Sequence, residues 1–107
     1  MTWSYVSERP FSQPALEKLL ANLPTALYRA KGFVYLAERP SQAVLLQVVG
    51  RRFQLTAGKE WLDQPRTQLV FIAAAGGLDP ADLQSQFDGC LANSRGRWWD
   101  RLQVIKK

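Results

Sequence analysis

The stretch Leu27–Leu36 constrains the fold of this chain more than any other, because it is the longest run with the character of a single β-strand. Its aromatic and branched residues favour a strand. Turn-forming residues stand on both sides of it, Pro24-Thr25 before and Glu38-Arg39-Pro40-Ser41 after. We therefore predict one strand between two turns, and we interpret it as the central strand of a sheet.

Side chains of a strand alternate between its two sides, so this stretch has two predicted faces of different character. The first face is apolar, with its smallest residues in the middle, and consists of Tyr28, Ala30, Gly32, Val34 and Leu36. The second face mixes cations with aromatic rings and consists of Leu27, Arg29, Lys31, Phe33 and Tyr35. We expect helices to pack on the first face, and the second to face solvent, another domain or a ligand.

Shorter patterns predict the other elements. Ser12 is a suitable N-cap before leucines at helical spacing, and Asp79-Pro80 has the character of a second helix start. Gly50-Arg51 fits the two-residue turn of a hairpin. Further strands are predicted at residues 3–7, 43–49, 52–56 and 67–73, and helices at 13–23 and 80–92.

Together these elements predict an α+β two-layer sandwich in the order β-α-β-β-β-β-α. The sheet should be rich in antiparallel pairs and have four or five strands. Each helix has one apolar stripe, and Ala30 and Gly32 leave room for close packing. We therefore expect both helices on one face of the sheet.

Composition indicates one ordinary globular domain of 107 residues, large enough for a core without metals or disulfides. The single cysteine, Cys90, cannot form an internal disulfide, and its position predicts a small buried hydrophobe between helix and sheet. The sequence has no secretory leader and no long apolar run. A cytoplasmic location without a membrane span is expected.

The residues that most often carry chemistry are scarce. The chain contains no histidine and one cysteine, which argues against a zinc site and removes the commonest general base. Its glycines lack the lysine and hydroxyl spacing of a phosphate loop. We therefore predict no catalytic residue, no metal site and no cofactor, and do not expect an enzyme.

Positive charge is concentrated in the last fifteen residues, which hold four of the five net charges. We expect a folded domain at residues 1–92 and a basic, aromatic extension at 93–107. If the chain binds polyanions, the extension is the expected site. The candidate residues are Arg95, Arg97, Trp98, Trp99 and Arg101.

Several segments in a fixed order resemble one known family over about residues 3–92. They are Ser7-Glu8-Arg9-Pro10-Phe11, Leu23-Pro24, Tyr28-Arg29-Ala30-Lys31-Gly32-Phe33, residues 45–55, Trp61, residues 65–72 and Leu78-Asp79. The chain resembles the C-terminal domain of the CobW-type P-loop GTPases, a family of metal-insertion and cobalamin-related chaperones.

The resemblance implies a non-catalytic accessory domain, either excised or free-standing, because the nucleotide and metal motifs of that family lie in a preceding GTPase domain. The implied partner is a CobW-like GTPase domain or a client metalloprotein. We place the expected partner-binding site on the second face of the central strand. Its residues are Arg29, Lys31, Phe33 and Tyr35. Homodimerisation through the same strands is the competing use of that face.

A second hypothesis is a single-stranded nucleic-acid-binding domain that uses the sheet face and the basic extension. The segment Lys31-Gly32-Phe33-Val34-Tyr35 partly matches an RNA-recognition strand motif. The match lacks a small residue and an aromatic, and residues 1–92 have a net charge of only +1. Nucleic acid is therefore not the expected partner. In a third interpretation Phe33 and Tyr35 are covered by the loop of residues 57–65, and Trp98-Trp99 packs on the domain itself.

Overall fold

The computed structural model describes residues 1–92. Five strands and two helices follow one another in the predicted order. Their bounds are β1 (Thr2–Ser7), α1 (Gln13–Leu20), β2 (Leu27–Leu36), β3 (Arg39–Val49), β4 (Arg52–Thr56), β5 (Thr67–Ala73) and α2 (Pro80–Asp88).

The strands form a single sheet in the order β1-β5-β2-β3-β4, and every neighbouring pair is antiparallel. The predicted central position of β2 is confirmed, since two strands lie on each side of it. β1 runs in the same direction as β2, but β5 lies between them.

Both helices begin where the sequence predicts. The Ser12 hydroxyl accepts a hydrogen bond from the Ala15 N–H at 3.5 Å, and the Asp79 carboxylate accepts one from the Ala81 N–H at 3.0 Å. Such caps satisfy N–H groups that the first turn leaves without an intrahelical partner. Both helices end earlier than predicted, at Leu20 and Asp88.

The core lies between the helices and one face of the sheet, as predicted. Alternation is complete in β5, whose buried residues are Thr67, Leu69, Phe71 and Ala73. Four aromatic rings at the centre lie 5.1 to 6.3 Å apart between contacting centroids. They are Tyr5, Phe11, Phe71 and Phe87. Rings at these separations add attraction beyond the burial of their area.

The turn between β2 and β3 is shorter than the turn-forming residues 38–41 indicated. Only Ala37 and Glu38 form it, so β3 begins at Arg39. Pro40 is tolerated in this strand because the pairing of β3 with β4 begins only at Leu45. The predicted hairpin at Gly50-Arg51 is confirmed, with Gly50 at a φ of 59° in the turn.

The first residues of β2 correct the predicted division of its faces. The pairing register with β5 shifts between Leu27 and Arg29, which breaks the two-residue alternation. Leu27 is therefore buried at 2% exposure, whereas Tyr28 is 55% exposed. From Arg29 onward the predicted faces hold, because Ala30, Val34 and Leu36 are all buried.

Candidate partner-binding site

The face of the sheet that bears no helix carries three cross-strand rows of side chains, which we call the open face. Residues directly opposite each other in antiparallel strands point to the same side. The first row is Thr2, Ile72, Arg29, Val49 and Arg52; the second is Ser4, Val70, Lys31, Gln47 and Gln54; the third is Val6, Gln68, Phe33, Leu45 and Thr56. All fifteen are exposed or half-buried.

Apolar side chains are unusually common on the open face. Five of them leave roughly half of their surface exposed, namely Val6, Phe33, Val49, Val70 and Ile72. Single exposed apolar residues are normal, but neighbouring ones form a patch of the kind that marks an interaction site. The open face therefore presents a patch of exposed apolar side chains to solvent.

Two cations lie in the middle of this apolar patch. Arg29 stands between Ile72 and Val49, and Lys31 has Val70 on one side. Both side chains are exposed. A patch of this kind can contact a partner that combines apolar side chains with carboxylates, since the cations would orient it.

The four predicted partner-binding residues are not all brought together. Arg29, Lys31 and Phe33 occupy the three successive rows of the open face. Tyr35 lies beyond them and is half-buried, with its ring edge-on to Trp61 at 6.1 Å between centroids. The loop of residues 57–65 therefore covers Tyr35. It leaves Phe33 accessible, with 48% of that side chain exposed.

That loop borders a feature which sequence reasoning missed. An open groove of about 750 Å³, here called the loop groove, runs between the loop and the adjoining third row of the open face. Its apolar walls include Phe33, Ala43, Leu45, Trp61 and Leu62. Two backbone hydrogen bonds fix the loop, from the Ala43 N–H to the Lys59 carbonyl at 2.9 Å and from the Trp61 N–H to the Ser41 carbonyl at 3.4 Å. Two adjacent large apolar residues in a predicted loop, Trp61 and Leu62, were the sequence signal that pointed toward this groove.

The thiol of Cys90 lies in the core. The Cys90 thiol lies 3.4 Å from the carbonyl oxygens of Ala15 and Gln86, and burial raises its pKa. This is the environment of a structural cysteine. Within residues 1–92, no three His, Cys, Asp or Glu side chains are grouped to hold a metal ion.

The predicted polyanion-binding residues lie outside the described residues. They are Arg95, Arg97, Trp98, Trp99 and Arg101.

Neither helix within residues 1–92 has the length and apolar character needed to cross a membrane.

Solved structures share this fold. The crystal structure of the Zn(II)-bound YjiA GTPase from E. coli matches with a TM-score of 0.68 and 22% sequence identity, over 85% of this chain and 29% of that one. A Zn(II)-bound triple mutant of the YjiA GTPase matches with a TM-score of 0.69, at the same identity and coverage. The chain thus spans less than a third of these structures. No curated protein matches its sequence.

The model of one protein family matches almost all of the described residues. It is the cobalamin synthesis protein cobW C-terminal domain, and the match covers residues 1–91. The family expected from the sequence is therefore confirmed: this chain belongs to the CobW C-terminal domain family.

Proposed function

We propose that this chain is a non-catalytic, partner-binding domain of a CobW-like GTPase metallochaperone system. The observation that carries the proposal is the open face, on which exposed apolar side chains from four strands surround Arg29 and Lys31. The helices cover only the opposite side of the sheet. A surface of this composition gains free energy when a partner removes it from water.

We assign the GTP hydrolysis and metal binding of such a system to its other parts. The chain has no phosphate loop, no histidine and one cysteine, which is buried. GTPases bind the nucleotide with a phosphate loop, and zinc sites are built mainly from cysteine and histidine, so this sequence lacks the usual groups for both. The proposed contribution of the domain is recognition, either of a CobW-like GTPase domain or of a client metalloprotein.

A protein partner explains the open face better than a single-stranded nucleic acid does. Binding of single strands relies on several rings on which bases can stack. Tyr35 already packs against Trp61, which leaves Phe33 as the one aromatic ring within the three rows. Valines and an isoleucine around the cations suit a protein surface instead.

Charge reversal at Lys31 tests the proposal. Lys31→Glu should weaken binding of the full chain to a supplied CobW-like GTPase domain at least tenfold by calorimetry, since a charge at an interface centre would be reversed. Lys18→Glu is the matched control, because Lys18 is an exposed lysine on α1. It should bind like the wild type.

The same variants separate the competing uses of the face. If Lys31→Glu converts a dimer to a monomer in sedimentation while GTPase-domain binding is absent in the wild type, the face serves a second copy of the chain. Equal affinities of the two variants for the GTPase domain would reject the open face as the docking site.

A further inference from the structure

The open face carries positive charge and no carboxylate. Its fifteen residues include three cations, Arg29, Lys31 and Arg52, but no aspartate or glutamate. All three cations are exposed. Residues 1–92 contain eight of the nine acidic residues of the chain, and all eight lie off this face, together with six of the nine cations of the same range. The open face is therefore positive, whereas the rest of the domain carries an excess of acids.

This charge pattern argues against a second copy of the chain as the occupant of the open face. A two-fold, face-to-face dimer places the same patch on both sides of its interface. Two open faces would bring six cations together with no carboxylate among them. Facing like charges are unfavourable at an interface, so a stable occupant has to supply negative charge.

Apolar side chains lie directly beside the two central cations. Ile72 of β5 is opposite Arg29 in the first row. Val70 of the same strand is opposite Lys31 in the second row. Both apolar side chains leave nearly half of their surface exposed, as does Phe33 in the third row. The occupant therefore has to combine apolar side chains over β5 with carboxylates over β2.

An α-helix lying along β2 matches the spacing of these groups. Arg29 and Lys31 are two residues apart in the strand, which separates them by ~7 Å. Helical side chains at i and i+4 lie on one face and are offset by ~6 Å along the axis. The first and third rows are four residues apart along β2, ~14 Å, which is the length of ~9 helical residues. An added strand does not fit here, because β2 is already paired on both sides.

We infer that the open face binds an amphipathic α-helix of a partner protein, oriented along β2. Two carboxylates four residues apart lie over Arg29 and Lys31, and aliphatic side chains lie over Val70 and Ile72. Arg52, two strands or ~10 Å from β2, is placed to contact a further acidic residue on the flank of the helix. This partner chemistry rests on the function proposed above, because it concerns the same face.

Peptide selection by the isotope-labelled full chain tests the inference. Three amphipathic, leucine-containing helical peptides carry glutamate, glutamine or lysine at two positions four residues apart and are otherwise identical. The glutamate peptide should bind at least tenfold more tightly than the glutamine peptide, and the lysine peptide should bind most weakly. The amide shifts should centre on Lys31 and Val70.

Charge reversal in the domain should invert this preference. The double variant Arg29→Glu, Lys31→Glu should bind the lysine peptide most tightly. The milder pair Arg29→Gln, Lys31→Gln should bind the three peptides alike. Lys18→Glu is the matched control, at an exposed lysine on α1, and should keep the wild-type order.

Four results would overturn the inference. Equal affinities of the wild type for the three peptides would show that charge does not select the occupant. Shifts on the helices instead of the open face would assign the acidic ligand to another surface. Tighter binding of single-stranded DNA than of the glutamate peptide, with shifts at the same amides, would make nucleic acid the ligand. Concentration-dependent shifts at these amides without peptide would make a second copy the occupant.

The acidic helix and the proposed function can fail separately. If a CobW-like GTPase domain does not bind, while the peptides show the expected order and its inversion, that partner is wrong and the acidic helix is upheld. If the GTPase domain binds through Lys31 while the three peptides bind alike, the proposed function is upheld and the acidic helix is wrong.

Discussion

Gly32 of β2 passes so close to β5 that a Cβ atom at position 32 would collide with the carbonyl oxygen of Gln68. The Cα atom of Leu69, its register partner, would be only 2.9 Å away. Gly32 also has a φ of 156°, which other residues rarely adopt. The ladder between the two central strands thus depends on the absence of a side chain at this point.

Gly32→Ala should consequently lower the free energy of unfolding by about 3 kcal/mol, since overpacking and backbone strain act together. Gly50→Ala is the control, because Gly50 also has a positive φ but no atom stands within 4 Å of its added Cβ. It should cost only about 1 kcal/mol, from strain alone. Urea unfolding of both variants measures the difference. Similar losses in the two would contradict the close approach of β5.

The sequence was sufficient to predict the architecture because local patterns and packing agreed. The length of β2, the hairpin at Gly50 and the cap at Asp79 each specify one local structure, and the apolar stripes then place both helices on one face. Local patterns could not predict that Leu27 is buried and Tyr28 is exposed. This difference arises from a register shift against β5, a strand about forty residues later in the chain.

The candidate site was predictable only in part, for a similar reason. Alternation along β2 places Arg29, Lys31 and Phe33 on one face whatever their neighbours are. Whether a residue on that face is covered depends on segments distant in sequence, and Trp61 covers Tyr35. The loop groove is formed by β2, β3 and the loop after β4 together, so the adjacent Trp61 and Leu62 alone could not predict it.

Tyr35 and Trp61 should be energetically coupled. A double-mutant cycle with Tyr35→Ala and Trp61→Ala is expected to give an interaction free energy of about 1 kcal/mol, as for other edge-to-face aromatic pairs. Phe33→Ala should lower the stability less than Tyr35→Ala does, because Phe33 is the more exposed ring. Thermal and urea unfolding supply the values. Additive effects of the two alanine substitutions would mean that the loop does not rest on Tyr35.

Tyr5 should make the fold sensitive to alkali. Burial raises the pKa of its hydroxyl, and the hydrogen bond it donates to Asp88 at 2.8 Å raises the pKa further. The native state therefore favours the protonated tyrosine. Its contribution to stability is complete below the ordinary tyrosine pKa of ~10 and is lost progressively as the pH rises above that value.

The expected measurement is the free energy of unfolding from pH 7 to pH 11. Tyr5→Phe should cost about 1 kcal/mol at pH 7, where the hydrogen bond is lost, and should flatten the decline above pH 10. Tyr28→Phe, which alters an exposed ring, should follow the wild-type curve. A Tyr5→Phe curve as steep as that of the wild type would assign the alkaline decline to other groups.

Affinity for polyanions should come from the basic extension rather than from the sheet. The extension holds four of the five net charges, whereas the open face carries its cations among apolar residues. Replacing Arg95, Arg97 and Arg101 by glutamine should therefore reduce retention on heparin and lower the slope of log affinity against log salt by roughly 2 to 3. The matched control replaces the three open-face cations Arg29, Lys31 and Arg52 by glutamine and should elute close to the wild type. A larger loss in the control would mean that the sheet itself binds polyanions, and would favour a nucleic-acid ligand for the open face over a protein.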